Sequence, residues 1–256
     1  MHMRWMYRLW VLSVWGLLVA SLHVAWAEPR FVVGVQNFKE YLPYSQYENG
    51  VYTGFSRKLL DLFASTQGYT FEYAAYPVKR LYRVFLERAV DFKYPDNAYW
   101  SADLKQGHTI AYSDPVVEYI DGVLVTPQNR GKGTAALKTL GVIHGFTPFA
   151  YMKFIKAGEL QTSENRNYEG LLRQTMTGRV DGAYLNVAVS RYYVSKYLQD
   201  PQAVVFDAEL PHTRSFRHLS SIKHPHIITA FNAFLQTHTQ AVEALKHEYK
   251  VEEGVR

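Results

Sequence analysis

The chain has no cysteine, little net charge and no apolar run long enough to cross a membrane, and each absence excludes a class of protein. Without cysteine among its 256 residues, the protein has no disulfides, and its stability depends on core packing. The formal net charge of +5 is weakly basic, and no basic run with interleaved aromatic residues suggests nucleic-acid binding. GxSxG, Walker and GxGxxG motifs are also missing, which excludes the enzyme classes that they mark.

The first 27 residues are typical of a secretory signal peptide. Arg4 and Arg8 form a basic start, an apolar run covers 9–20, and Ala25-Trp26-Ala27 offers a small-x-small cleavage site. The run is about a dozen residues, whereas a membrane span needs roughly 20. We therefore predict cleavage after Ala27 and export to the periplasm, which leaves a net charge of +3. An uncleaved N-terminal anchor is the alternative.

The rest of the chain alternates between short apolar strands and helices with one apolar face. This alternation predicts an α/β fold with parallel sheets. The first unit is a strand at 31–35, an aromatic loop with Tyr41 and Tyr44, and a helix with apolar residues at 59–63. Ligands in such folds bind beyond the carboxyl ends of strands, so these rings predict a stacking platform for a small molecule. The alternative is that they cover an edge of the core.

Short motifs occur in a consistent order along nearly the whole mature chain. They are Gly34, Tyr41-x-Pro43-Tyr44, Gly50-x-x-x-Gly54-Phe55, Val90-Asp91, Tyr112-Ser113-Asp114-Pro115 and Gly178-Arg179-Val180-Asp181. Together they resemble the family 3 extracytoplasmic solute-binding proteins, the polar-amino-acid type of ABC importers. The resemblance implies a periplasmic-binding-protein-like type II fold, in which two α/β lobes are joined by two crossover strands with a ligand cleft between them. Lobe 1 would comprise 28–126 and 209–256, and lobe 2 would comprise 127–208.

The function implied by the resemblance is capture of a small polar solute, such as an amino acid, its derivative, or a small organic acid or amine. The protein would be a monomer without a cofactor and would deliver the solute to an ABC permease in the inner membrane. One alternative is an exported enzyme resembling the cyclohexadienyl dehydratases, with Glu118 or Asp96 in proton transfer. Another is a ligand-sensing module for a membrane receptor.

The sequence departs from the family pattern at both ends of the expected amino-acid site. Family members carry an arginine for the ligand carboxylate shortly before the Ser-Asp-Pro segment, but 103–108 contains none. They also carry an aspartate for the ligand ammonium group five residues after the Val-Asp aspartate, where this chain has Asn186. Whether the ligand is a plain α-amino acid therefore stays open.

Ten residues are candidates for the ligand site, because they lie at strand ends, at helix starts or at positions matched by the resemblance. They are Tyr41, Tyr44, Arg80, Lys93, Asp96, Asn97, Trp100, Thr147, Tyr184 and Asn186. Thr147 is also predicted to cap a helix with Pro148 at its first position, which would create an anion site. For Arg80 and Lys93, a position on the solvated surface is an equally good interpretation. For Asp96-Asn97, a simple turn after Pro95 is the alternative. The histidines, including His224-Pro225-His226, lack metal-ligand spacing, so no metal site is predicted.

Overall fold

The computed structural model of the protein describes residues 28–198 and 200–255. The predicted signal peptide, residues 1–27, lies outside the described residues. Among the helices that the structure describes, none is both long and apolar enough to cross a membrane.

The strands are short, and the central ones are the most deeply buried. In chain order they are β1 (Arg30–Gln36), β2 (Gln46–Glu48), β3 (Val51–Thr53), β4 (Thr70–Tyr76), β5 (Phe92–Asp96), β6 (Ala111–Tyr112), β7 (Val117–Val125), β8 (Thr139–Ile143), β9 (Gln161–Asn165), β10 (Gly182–Asn186), β11 (Val205–Phe206) and β12 (Thr213–Ser221).

The helices lie between these strands and at the C-terminal end. They are α1 (Phe55–Gln67), α2 (Val78–Leu86), α3 (Met152–Lys156), α4 (Tyr168–Met176), α5 (Val187–Tyr197), α6 (Pro225–Thr237) and α7 (Thr239–Tyr249). Each of the longer helices buries an apolar face against a sheet or a neighbouring helix.

One continuous strand path runs through the molecule in the order β4-β1-β5-β12-β7-β10-β8-β9. The first strand group (β4, β1 and β5) is parallel, and so is the second strand group (β10, β8 and β9). Between them, β12 and β7 run antiparallel to each other and to their outer neighbours. The two strand groups are parallel, as the alternation of strands and helices predicts, and the antiparallel strands β12 and β7 between them make the whole sheet mixed. The lobe boundaries at 126/127 and 208/209 stay a prediction.

The largest apolar core joins the helices to both strand groups. Phe63 on α1 packs against Phe231 and Phe234 on α6, with ring centroids 5.0 and 5.4 Å apart. Phe92 on β5 and Leu171 on α4 are fully buried in the same cluster. Burial of these side chains stabilises the fold by about 1.5–3 kcal/mol each, which compensates for the absence of disulfides.

The start of α1 fixes the aromatic loop at 41–44. The backbone N–H groups of Phe55 and Ser56 donate to the carbonyl oxygens of Pro43 (3.2 Å) and Tyr44 (2.9 Å). This close approach needs Gly54, which has φ of 96° and whose added Cβ would lie 2.8 Å from the Tyr44 carbonyl oxygen. The loop that carries the predicted tyrosines is therefore held by the helix that follows it.

Candidate functional site

A cavity of about 510 Å³ lies where the carboxyl ends of the two strand groups approach each other. Gln36 at the end of β1 and Asn97 after β5 line it on one side. Asn186 at the end of β10 and the loop 145–147 after β8 line the other side. Its volume is within the range of about 300–1,000 Å³ that is usual for small-molecule sites.

Arg217 on β12 is a charged residue of the cavity lining that the sequence analysis missed. Its side chain is 2 % exposed, and its guanidinium carbon lies 4.1 Å from the ring centroid of Tyr44, 5.0 Å from that of Tyr119 and 5.3 Å from that of Tyr41. Nη2 donates to the Tyr41 hydroxyl at 2.9 Å. Within the described part of the chain, Nε has no hydrogen-bond partner. The guanidinium lines the cavity, and a buried cation without an ion pair in direct contact can bind an anionic group there.

Asp121 on β7, the strand paired with β12, adds a carboxylate to the lining. It faces Asn186 in the strand register, and the Asn186 amide Nδ2 donates to its Oδ1 at 2.9 Å. Burial raises the pKa of the Asp121 carboxyl, while the Arg217 guanidinium and the Asn186 amide act in the opposite direction. The carboxylate that the family pattern led us to expect at position 186 is therefore found on the neighbouring strand.

Asn186 also determines where α5 begins. Its Oδ1 accepts a hydrogen bond from the backbone N–H of Val189 at 3.2 Å, which makes it the N-cap of that helix. The side chain lines the cavity. One amide N–H holds the Asp121 carboxylate and Oδ1 caps α5, so within the protein Asn186 fixes the position of Asp121.

Lys93, Asp96 and Lys105 form a buried cluster next to the cavity. Asp96 Oδ1 accepts from Lys93 Nζ at 2.8 Å and from Lys105 Nζ at 2.9 Å, and its Oδ2 accepts from Ser220 Oγ at 2.7 Å. Lys93 is fully buried, and burial lowers its pKa to about 8 in spite of the Asp96 carboxylate. None of the three residues is part of the cavity lining.

This cluster holds the loop after β5, which forms one wall of the cavity. Lys105 Nζ donates to the backbone oxygen of Asn97 at 2.7 Å, and the Asn97 amide donates to the backbone oxygen of Phe216 on β12 at 2.8 Å. The indole N–H of Trp100 donates to the Tyr119 hydroxyl at 3.0 Å. The stretch 103–108 thus supplies a buried lysine, which pairs with Asp96 rather than reaching the cavity.

The structure brings six of the ten predicted residues to the cavity and leaves four outside its lining. The six are Tyr41, Asn97, Trp100, Thr147, Tyr184 and Asn186. The four are Tyr44, Arg80, Lys93 and Asp96. Tyr44 packs against Arg217 and is separated from the cavity by it. Arg80 is exposed, and its guanidinium carbon lies 5.4 Å from the centroid of the Tyr76 ring. Lys93 and Asp96 neutralise each other in the buried cluster.

The predicted helix cap at Thr147 is wrong. Pro148 precedes a single 3₁₀ turn over Phe149–Tyr151, the following α3 has only five residues, and no side chain caps either segment. The backbone N–H groups of Phe149 and Tyr151 donate to the oxygens of Thr147 and Pro148. These groups are not available to an anion, so no helix N-terminal site exists at this position.

The two carboxylates considered for an enzymatic reaction are both paired with cationic side chains. Asp96 belongs to the buried cluster, and Glu118 forms an ion pair with Arg214. Neither lines the cavity, so neither is placed for proton transfer to a ligand bound there. Asp121 is the carboxylate that the cavity lining contains.

A larger groove of about 840 Å³ lies outside this region, along α5 and the C-terminal turn. Its charged side chains are Arg130, Arg191, Glu248, Lys250 and Glu253, and all of them are exposed. Solvent screens such groups, so they bind a small ligand weakly. The smaller cavity, with its buried Arg217, is therefore the better candidate. No group of three or more His, Asp or Glu side chains suited to a metal ion occurs in 28–198 or 200–255.

Glu40 connects the loop after β1 to the helices of the opposite side. Its Oε2 accepts from the backbone N–H of Tyr168 at the start of α4, and its Oε1 accepts from the Tyr197 hydroxyl on α5, both at 3.0 Å. Nearby, the Phe146 ring after β8 packs against Phe38, with centroids 5.3 Å apart. These contacts join the loop after β1 to the second strand group and its helices, and of these residues Phe38 and Phe146 line the cavity.

No protein-family model matches the chain, and no curated protein matches it in sequence. Solved structures do match it over most of its length. An ancestral arginine-binding protein bound to arginine is 18 % identical with a TM-score of 0.66, covering 86 % of this chain and 97 % of its own. The ancestral amino acid-binding protein AncCDT-1, a precursor of cyclohexadienyl dehydratase, is 18 % identical with a TM-score of 0.64, covering 86 % and 94 %.

A third similar structure is ArtJ from the thermophilic bacterium Geobacillus stearothermophilus, an arginine-, lysine-, histidine-binding protein. It is 17 % identical with a TM-score of 0.64, and the match covers 86 % of this chain and 94 % of that one. At such low identity these likenesses show the fold alone. The chain has the periplasmic-binding-protein-like type II α/β fold, as the resemblance in its sequence led us to expect.

Proposed function

We propose that the protein is a periplasmic solute-binding protein that captures a small polar solute carrying an anionic group in the 510 Å³ cavity. The observation that carries this proposal is Arg217, a charge buried in a ring-lined cavity with its Nε unpartnered in the described chain. A buried cation without an ion pair in direct contact costs several kcal/mol of stability. Such a cost is characteristic of a functional site, because a bound anion offsets it.

The surroundings of Arg217 support recognition of a planar anion. The Tyr41 and Tyr44 rings and the hydrogen bond to the Tyr41 hydroxyl hold the guanidinium in one orientation. A guanidinium held in this way presents paired N–H donors that match a carboxylate. The ligands named for the similar structures, which are amino acids, are consistent with such an anionic group.

The wider biological setting is part of the same proposal. The signal-peptide pattern supports export to the periplasm with cleavage after Ala27. The lobes at 28–126 plus 209–256 and at 127–208 would close over the solute by a hinge motion, and the loaded protein would deliver it to an ABC permease. The proposal treats the protein as a binding protein rather than an enzyme.

The first test is native mass spectrometry of the purified protein, followed by isothermal titration calorimetry with the solute that it carries and with single amino acids and small carboxylates. We expect at least one carboxylate-bearing solute to bind and to raise the melting temperature by mass action.

The decisive variant is Arg217→Met, which keeps the volume of the side chain but removes its charge. We expect it to weaken binding of that solute at least 100-fold, whereas Arg191→Met, an exposed arginine of the other groove, should leave binding within about twofold. Circular dichroism checks that both variants fold. Unchanged affinity in folded Arg217→Met would show that the anion site is elsewhere.

A further inference from the structure

The charges of the cavity lining balance each other in number. Among the described residues, the lining contains one charged side chain besides Arg217 and Asp121, which is Arg214. Arg214 donates from Nε and Nη2 to the two carboxylate oxygens of Glu118, so its charge is neutralised by a bidentate contact. Arg217 and Asp121 contribute one positive and one negative charge. By net charge alone, the lining therefore favours neither an anionic nor a cationic solute.

The buried cluster next to the cavity carries an excess positive charge. It contains two lysines, Lys93 and Lys105, and a single carboxylate, Asp96, which accepts hydrogen bonds from both Nζ atoms. Burial lowers the pKa of Lys93 to about 8, so the ammonium form still predominates at pH 7. Lys93 is fully buried and Lys105 is 7 % exposed, so salt and water screen this charge only weakly. The cluster thus has one positive charge that its carboxylate does not neutralise.

Two aromatic rings separate this cluster from the cavity. Lys93 Nζ lies over the rings of Tyr82 and Trp100, 4.3 and 5.8 Å from their centroids. Lys105 Nζ lies 5.3 Å from the Tyr82 centroid. Tyr82 and Trp100 line the cavity, whereas neither lysine does. The two lysines therefore lie behind this part of the cavity wall.

An aromatic ring that already holds a cation is a poor site for a second one. The attraction between a cation and a ring comes from the negative ring face, and a lysine on one face repels a positive group on the other. For a ligand group about 8 Å from the lysine, at an effective dielectric constant of about 20, one unit charge changes the binding constant by about 30-fold. Asp96 reduces this effect but does not cancel it. The same field attracts an anionic group.

From this arrangement we propose that the cavity selects solutes with a net negative charge, and that Lys93 and Lys105 set this preference through Tyr82 and Trp100 without contacting the solute. The two lysines are specificity-determining residues that act through the rings. This inference rests on the proposed binding function and specifies the charge of the ligand at the same site. The similar structure ArtJ is described as binding arginine, lysine and histidine, so the two proteins would differ in the charge of the solute that they prefer.

Calorimetry at pH 7 on the unmodified protein tests the preference with probes that differ in charge. Benzoate, benzamide and benzamidine are planar, have nearly the same shape, and carry charges of −1, 0 and +1. L-glutamate, L-glutamine and L-lysine form a second series with the same net charges. We expect the anion of at least one series to bind about tenfold or more tightly than the neutral member, and the cation to bind most weakly. The solute identified by native mass spectrometry should also carry a net negative charge at pH 7.

Lys93→Met tests the source of the preference, because it leaves Lys105 paired with Asp96 and makes the cluster neutral. We expect the ratio of the anion affinity to the cation affinity to fall by about tenfold or more. Lys105→Met also leaves one lysine paired with Asp96 and should have the same effect. The double variant Lys93→Met, Asp96→Asn again has one excess positive charge, so the ratio should recover.

Lys196→Met is the matched control, because it removes a lysine that lies over tyrosine rings elsewhere. Its Nζ is 5.7 Å from the Tyr193 centroid and 5.1 Å from the Tyr197 centroid. Lys196 is exposed, and neither it nor these two rings line the cavity. The substitution should leave every affinity within about twofold. Circular dichroism checks that all the variants fold.

The results separate the two proposals. If benzamidine or L-lysine binds the native protein as tightly as its anionic counterpart, the preference for a net negative charge is wrong, although the protein remains a solute-binding protein. An unchanged affinity ratio in folded Lys93→Met or Lys105→Met, or no recovery in the folded double variant, would contradict the role of the lysines. If the native protein binds no solute at all, the proposed function fails together with this inference.

Discussion

At the scale of single residues, Asp96 holds two buried lysines next to the cavity. Burial alone would raise the pKa of this carboxyl, but Lys93 and Lys105 outweigh burial and lower it. A lowered carboxyl pKa means that the contribution of Asp96 to stability is present above the ordinary carboxyl pKa and is lost as the pH falls through its folded value. The cluster therefore stabilises the wall of the cavity at neutral pH and fails in acid.

We expect Asp96→Asn to lower the free energy of unfolding by about 3–5 kcal/mol, because it leaves the two lysines without a counter-charge. Urea denaturation at neutral pH measures the change. Glu72→Gln is the control, since its ion pair with Arg30 is exposed and is worth about 0–1 kcal/mol. Equal effects of the two substitutions would mean that the lysines are not held by Asp96.

At the scale of elements, Asn167 and Asn186 perform the same task in different places. Each accepts a backbone N–H three residues ahead and so begins a helix, α4 in one case and α5 in the other. Only Asn186 also donates to Asp121. The pair makes it possible to separate helix capping from any role in binding.

Replacing either asparagine by alanine should cost about 1 kcal/mol of stability from the lost cap. We expect only Asn186→Ala to weaken binding of the solute found by calorimetry, by about tenfold, which corresponds to about 1.4 kcal/mol, because Asp121 then loses its donor. Thermal unfolding and titration calorimetry on both variants measure the two effects. Similar affinities in the two variants would limit Asn186 to a structural role.

The helices and the parallel strands could be predicted from sequence because their signals are local. The Asp91 and Asp181 carboxylates illustrate this, since each accepts a backbone N–H near the start of another strand. The donors are Val32 on β1 and Thr139 on β8. The residues that lead to these carboxylates are also similar in sequence, Arg88-Ala89-Val90-Asp91 in one place and Gly178-Arg179-Val180-Asp181 in the other, which is a weak internal repeat. The repeat needs only short-range patterns to be recognised.

Strand β12 could not be found in this way. Thr213, Ser215 and Arg217 alternate along it, so its sequence resembles a polar loop, and its polarity arises because the strand lines a cavity. Arg217 contacts Tyr41, which lies 176 positions earlier in the chain. A local sequence pattern cannot reveal a contact between residues so far apart. The family pattern directed attention to 103–108 for an arginine, whereas the fold supplies one from β12.

At the scale of the whole molecule, Glu40 joins the two sides of the cavity through Tyr168 and Tyr197. Hydrogen bonds to a charged group are worth about 1.5–3 kcal/mol each. If the molecule opens and closes around its ligand, these two bonds favour the closed form. They would then add to ligand affinity without touching the ligand.

We expect Glu40→Ala to weaken solute binding about tenfold and to increase the radius of gyration of the protein, as measured by small-angle X-ray scattering with saturating solute. Lys39→Ala, at the exposed neighbouring position, should change neither quantity. An unaltered affinity together with an unaltered scattering profile would show that Glu40 does not control closure.

The position of Trp100 has a practical consequence for all of these measurements. The other four tryptophans, at 5, 10, 15 and 26, lie in the segment that we predict to be removed on export, so the mature chain would contain a single indole. That indole lies in the cavity wall, hydrogen-bonded to Tyr119. Its intrinsic fluorescence would therefore report solute entry directly, and the binding kinetics could be followed by stopped flow without attaching any dye.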